Sequence, residues 1–464
     1  MKKVIAFVIL LTLPLGFLLG AHKSVDALQD DVRMEVYPVY GDPSLAEGKT
    51  FQILSTCGEH MWWDIFHTPG DPGVTQTKFH FSPEGHGLFD LETEWSEFSL
   101  HSTNGMGMSS SGGTGLTFEN KAVGILINAV AEMTLPGDSR EETLRMEDYF
   151  EYYPLEYWVH FETKDYYVDE SYDSVRNIGT MNHWEEEPGS SYQHWMERFR
   201  FPIVPGDTMT VSVGKDETGA IRNVGINPLG EETPYIYFTA IHTEKGLYFS
   251  PVFQTRDGEP METGEFIYGY GLYYIPFKPV ENIEGTPTWM TFDFDNLEMV
   301  YSLAPTDQLI AMEENEDATR LHMLTKEGDQ YIYCLFDIPS RKLLSRTEIL
   351  NTGQEAKWSF YPEEGLLFVI AEDSMALVRM GEDSRVEFAA PWPEEVEWVL
   401  PERVLYENGI LYGVSQQWHA DNYGTCLTVC SEEGLGYLGY YNNTLNGVGY
   451  NSYWFNIESV EFVK

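Results

Sequence analysis

The sequence predicts a mainly β fold of propeller type, about seven four-stranded blades with one short helix near residues 141–153. Three observations carry that expectation. Short aromatic and β-branched runs recur between clusters of Gly, Asp, Asn and Pro, while long runs with a 3.6-residue period are nearly absent. In the second half, the turn glycines Gly328, Gly365 and Gly409 return about every 40 residues, the spacing of blade repeats. Each opens onto an apolar run, at 331–336, 366–370 and 410–414.

The 464 residues include 42% hydrophobic and 14% aromatic side chains, which exclude a disordered solvating chain. Against 74 acidic residues stand 28 basic ones, a net charge of −46. Nucleic acid and anionic membrane surfaces are excluded as partners, since both would be repelled.

From the start of the chain, Lys2 and Lys3 precede an uncharged, mainly apolar run over 4–19. As a helix that run reaches roughly 24 Å, short of the ~30 Å hydrocarbon core. Val25-Asp26-Ala27 offers a small-residue cleavage site. Residues 1–27 therefore read as an export signal, with an uncleaved N-terminal anchor as the other reading. Residues 28–464 remain as one propeller-like domain outside the cytoplasm, in the extracellular space or cell envelope. If a sub-boundary exists, it falls at 276–287, where Pro276, Pro279 and Pro287 cluster.

Ser139-Arg140-Glu141-Glu142 fits a capping box, acidic residues crowd the turn that follows, and Pro154 blocks continuation. A helix over 141–153 follows, with Leu144, Tyr149, Phe150 and Tyr153 as its buried side. Hairpins are expected from 209–213 to 220–226, and from 248–254 through Asp257-Gly258 to a run ending at Tyr268. Another joins 321–325 to 331–336 across Lys326-Glu327-Gly328-Asp329. The clearest, 404–412, turns on Asn408-Gly409, the preferred type I′ pair because both positions need positive φ. At the end, 453–457 and 460–463 alternate well enough to complete an N-terminal blade.

The signal-like start, Tyr152-Tyr153-Pro154-Leu155 after an acidic stretch, and the acidic, aromatic-rich hairpins from Trp289 onward resemble a group of uncharacterised secreted proteins of Gram-positive gut bacteria. The resemblance implies a propeller-like β fold and an extracytoplasmic location. It brings no activity and no functional residue.

Signatures of chemistry are sparse. Gly-x-Ser-x-Gly, His-Glu-x-x-His, a phosphate-binding glycine loop and a dinucleotide fingerprint are all missing from the sequence. Cys57, His60, Asp64 and His67 include ligand types that zinc accepts, but their spacing is not that of a zinc site, and ordinary hydrogen-bonded histidines are the stronger reading. The four cysteines are too few for a disulfide scaffold. Cys426 and Cys430 share one face of a strand too far apart to bridge, leaving either a pairing with Cys57 or Cys334 or a set of buried thiols. Asp90, Glu92, Glu94 and Glu97 beside Trp95 could form paired acids, although acids are frequent everywhere in this chain.

The stretch from Trp184 to Trp195 combines aromatics, charge and Gly-Ser flexibility outside any strand pattern, and binding residues favour such loops. Trp184, Glu185, Glu186, His194 and Trp195 are the candidate ligand contacts, with the two tryptophans as plugs at blade edges the competing reading. No catalytic residue, metal or cofactor is assigned. The expectation is a non-catalytic binding or interaction module for a protein or glycan ligand. The alternative is a secreted hydrolase acting on glycans through paired carboxylates.

Overall fold

The computed structural model describes residues 32–57, 60–83, 96–103, 108–111, 121–152, 156–163, 195, 197–200, 202–203, 205–228, 235–243, 245–254, 265–266, 268–279, 290–315, 317–419, 422–443 and 455–463. The expected signal at 1–27 lies outside them.

The fold is mainly β and propeller-like, and its repeat is plainest in the second half. Asp307–Glu314, Arg320–Glu327, Gln330–Asp337 and Lys342–Asn351 form one four-stranded sheet in chain order. Ala356–Tyr361, Leu366–Ala371, Ser374–Arg379 and Arg385–Pro391 form the next, an antiparallel meander. Arg403–Glu407, Ile410–His419, Asn422–Ser431 and Gly434–Asn443 form a third, with Met34–Gly41 added at its edge. The turn glycines do what their spacing implied. Gly328, Gly365 and Gly409 all hold positive φ, and Asn408 at 53° with Gly409 at 82° closes the hairpin that pairs Glu407 with Ile410.

The chain divides into two compact units, residues 1–92, 329–333 and 345–464 in the first, 93–328 and 334–344 in the second. Residues 276–279 finish the strand Gly271–Pro279 inside the second unit.

In the first unit, the 403–443 sheet is apolar on both faces because strand side chains alternate. Leu411, Cys426, Cys430, Leu438 and Tyr440 enter one core with residues of the 356–391 sheet. Their neighbours Tyr412, Val414, Leu427, Val429, Tyr437 and Tyr441 enter another with Phe51, Ile53, Trp63 and Ile65. All four cysteines are free thiols. Burial pushes the Cys430 thiol up to about 12, so it serves as a small apolar side chain.

The expected closure is present. Phe455–Phe462 pairs antiparallel with Phe51–Cys57, next to Met61–Thr68 and Val74–Phe81, so the two ends of the sequence build one blade. Ile53 faces Val460 across the ladder, and the Thr56 hydroxyl donates to Glu458 at 2.6 Å.

The second unit is organised differently. Met108–Ser111, Ile221–Pro228, Thr208–Lys215 and Ser139–Arg145 make a four-stranded sheet packed against helix α1, Lys121–Met133. This corrects the expected helix at 141–153. Ser139–Arg145 is a strand, paired from Gly214↔Ser139 to Thr208↔Arg145, and only a 3₁₀ turn, Met146–Asp148, follows. A capping box supplies two local bonds, whereas period-2 alternation buries Leu144 and Met146 and joins the whole segment to a ladder.

Helix α1 sinks Leu126, Ile127, Val130 and Ala131 into the core. Its end is closed by Lys215, whose ammonium donates to the Ala131 and Thr134 carbonyls at 2.6 and 3.1 Å. A wider sheet runs Met290–Phe292, Gly271–Pro279, Gly246–Gln254, Tyr235–Thr243, Ser96–Thr103 and Glu156–Thr163, with Glu298–Ser302 also paired to Gly271–Pro279. The turn expected at Asp257-Gly258 lies outside the described residues; Gly246–Gln254 pairs antiparallel with Gly271–Pro279, and Glu265–Phe266 with Phe199–Arg200.

The hairpin at 209–226 is as expected, and Asp216 organises its turn. One carboxylate oxygen accepts from the Thr218 hydroxyl (2.6 Å), the Thr218 amide (2.9 Å) and the Ala220 amide (2.9 Å), and the other accepts from Arg222 at 2.7 Å. The Thr218 hydroxyl foremost, with these other donors, holds the carboxyl at about 2, against an ordinary 3.8. Because the folded value is the lower one, this turn's contribution is whole above about pH 4 and is lost as pH falls through about 2. Asp216→Asn should flatten that part of the acid limb in denaturation curves recorded between pH 4 and 2. An unchanged slope would show that the turn does not couple to folding.

Candidate functional site

Of the residues singled out in the sequence, Trp184, Glu185, Glu186 and His194 lie outside the described residues. Trp195 is 0% exposed. Its ring sits 5.1–6.0 Å from those of Phe199, Phe238, Phe249, Phe292 and Phe294, mostly edge to face. The tryptophan therefore anchors the core of the second unit.

The histidines near His60 scatter. His60 meets the Ser82 carbonyl, His67 the Thr75 hydroxyl, and His80 the Asp64 carboxylate at 2.9 Å. Burial pushes His67 down to about 4, so its imidazole is neutral. Among the described residues no three metal-ligating side chains converge. Of the acids beside Trp95, Glu97 lies on Ser96–Thr103 opposite Glu162, and the others fall outside the described residues.

A different site is formed within the second unit. Tyr248 and Tyr274 are direct partners across two antiparallel strands, their ring centroids 4.6 Å apart at 34°. Glu298 follows Tyr274 in register on the next strand, so the three side chains cross the sheet in one row. Arg341 closes the row with two hydrogen bonds to Glu298, at 2.8 and 2.5 Å. Above them opens a cleft of about 530 Å³, within the range of small-molecule sites. Lys245, Tyr248, Tyr274, Asp317, Thr319 and Arg341 are among its lining residues.

Two turns shape the rim. In one, the Asn315 side chain accepts from the amides of Thr319 (3.0 Å) and Arg320 (2.8 Å), leaving Ala318 at φ 54°. In the other, Asp337 accepts from the Ser340 amide at 2.9 Å and Arg341 stands at φ 56°. The Ile338 amide donates to the Thr319 carbonyl at 2.9 Å, tying the turns together. Among the described residues, three non-glycine positions hold positive φ, and two of them line this cleft. Left-handed backbone at Ala or Arg costs of order 1–2 kcal/mol and persists where surrounding bonds over-determine it.

Burial raises the Tyr248 and Tyr274 hydroxyls, the Tyr274 group also through the Glu298 carboxylate, so both stay protonated and can donate. Tyr274 donates to the Lys245 carbonyl at 3.3 Å. Lys245 is exposed and makes no ion pair among the described residues. Such a cleft offers an aromatic wall and a rim rich in donors, and the single carboxylate among its lining residues is Asp317.

Sequence reasoning missed these residues, although a signal was present. Gly246-Leu247-Tyr248-Phe249 and Gly271-Leu272-Tyr273-Tyr274 repeat one pattern, and antiparallel pairing of the two brings Tyr248 to Tyr274.

No family profile matches the chain, and no curated protein does. Among solved structures, the chain is similar to a candidate 6-phosphogluconolactonase of Bacteroides fragilis, at 9% identity and TM-score 0.28, over 91% of this chain and 100% of that one. It is similar to the β-propeller domain of Myceliophteria thermophila Cps50 (Swd1) at 9% identity and TM-score 0.19, over 52% of this chain and 91% of that one. It is also similar to Kluyveromyces lactis Hsv2p, at 6% identity and TM-score 0.21, over 53% and 95% of the two chains.

Proposed function

We propose that the protein is an exported, non-catalytic binding module whose cleft at Tyr248 and Tyr274 takes a short saccharide. The observation that supports this most is the tyrosine pair under a donor-rich cleft of about 530 Å³. An amphipathic ring stacks on an aromatic face while its hydroxyls meet polar groups at the rim. Hydrolysis through paired acids calls for two facing carboxylates, roughly 5–9 Å apart. Here Glu298 is engaged by Arg341, and Asp317 is the carboxylate of the lining.

Titration calorimetry of the full chain with a panel of di- and trisaccharides tests the reading. Binding should appear, and Tyr274→Ala should weaken it tenfold or more, about 1.4 kcal/mol, with the melting transition retained. Release of new reducing ends during the titration would favour the hydrolase instead. Export is tested on the same protein, since loss of residues 1–27 should retain it in the cytoplasm.

A further inference from the structure

We propose that the saccharide taken by this cleft carries a carboxylate, as a hexuronic acid does, and that Lys245 and Arg341 read it. This rests on the saccharide reading above and narrows it.

Acids outnumber bases 74 to 28 overall, whereas the cleft's own lining carries the bases Lys245 and Arg341 and the acid Asp317, with Glu298 held beside it in the ion pair to Arg341. The ion pair with Glu298 does not exhaust Arg341. Glu298 takes one N–H from each terminal nitrogen, and a guanidinium has five, so three donors remain. The Lys245 ammonium adds three more, with no ion pair among the described residues. The Tyr248 hydroxyl makes no hydrogen bond among the described residues. A surplus of donors calls for an acceptor, and a carboxylate is a strong one because its bonds to cations are charge-assisted.

Geometry holds the donors in place. The left-handed backbone at Arg341 and the Glu298 fork together fix the guanidinium plane at the end of the tyrosine row. A ring lying on Tyr274 would then carry its carboxylate toward the two cations. The net charge of −46 sets the size of the ligand. Long polyanions are repelled by the chain as a whole, whereas one carboxylate feels mainly the groups within a Debye length, about 8 Å at physiological salt.

The test compares digalacturonic acid with its dimethyl ester, which keeps the rings and removes the charge, by calorimetry on the full chain. The acid should bind at least tenfold more tightly than the ester. Lys245→Gln, at an exposed position where folding is not at stake, should bring the acid to within threefold of the ester. Equal affinity of acid and ester for the unaltered protein would overturn the charge inference and leave the saccharide reading standing. Binding of neither acid, ester nor any neutral saccharide would remove both. A tenfold preference for the acid that survives Lys245→Gln unchanged would refute the assignment to this cleft.

Discussion

Trp195→Ala is expected to destabilise the protein by about 3–5 kcal/mol, the usual consequence of truncating a large core aromatic. The indole is fully buried among five phenylalanine rings, so its removal leaves a cavity that the sheet strands on either side cannot collapse to fill. Edge-to-face pairs with Phe238, Phe249, Phe292 and Phe294 would be lost as well. Urea denaturation should show the midpoint falling, with the transition of the second unit moving furthest. A surface recognition residue would behave otherwise, changing stability by no more than about 0.5 kcal/mol. A shift that small would return Trp195 to the class of ligand contacts.

Val460→Asp should cost a similar amount, about 4 kcal/mol. Val460 is 2% exposed, stands opposite Ile53 in the closing ladder and lies in the core shared with Phe51, Trp63 and Ile65. A carboxylate there forfeits the valine's burial and sits in an apolar site without a counter-ion. Burial raises such a carboxyl's pKa, so its folded value exceeds the unfolded one and the damage should ease as pH falls. Hydrogen exchange gives the local readout. Amides of Phe51–Cys57 should lose protection while those of Leu366–Ala371 keep theirs. Protection unchanged at Phe51–Cys57 would mean the closing strand is dispensable to that blade.

The parts of the fold legible in the sequence were those that depend on near neighbours. Asn408-Gly409 could be read because a type I′ turn asks for two positive φ values in succession, and few residue pairs supply them. Gly328 and Gly365 were legible because each turn holds one residue at positive φ, which glycine adopts without a steric cost. The closing strand was legible from its alternation, since a strand with one buried face keeps a period of two wherever its partner lies in the chain. Ser139–Arg145 was misread because its capping chemistry is local, whereas its ladder partner, Thr208–Lys215, is remote.

Helix α1 went unnoticed for a related reason. Its apolar run of Val, Ile, Leu and Ala resembles a buried strand, and only Pro136 and Gly137 beyond its end marked a stop. The cleft was least legible of all. Lys245, Tyr274, Asp317 and Arg341 are separated by long stretches of chain, and only the registers Tyr248↔Tyr274↔Glu298 assemble them.

The blade built from both ends of the sequence sets a timetable for biosynthesis. Thr56 and its partner Glu458 are 402 positions apart. At about 5–20 residues per second, the ribosome delivers the last strand roughly 20–80 s after the first three have emerged. Until then Phe51–Cys57 presents an unpaired backbone edge, the kind that recruits other chains. That edge stays open to mispairing until Phe455–Phe462 has been made, so the first blade forms late in synthesis although most of its strands are made early.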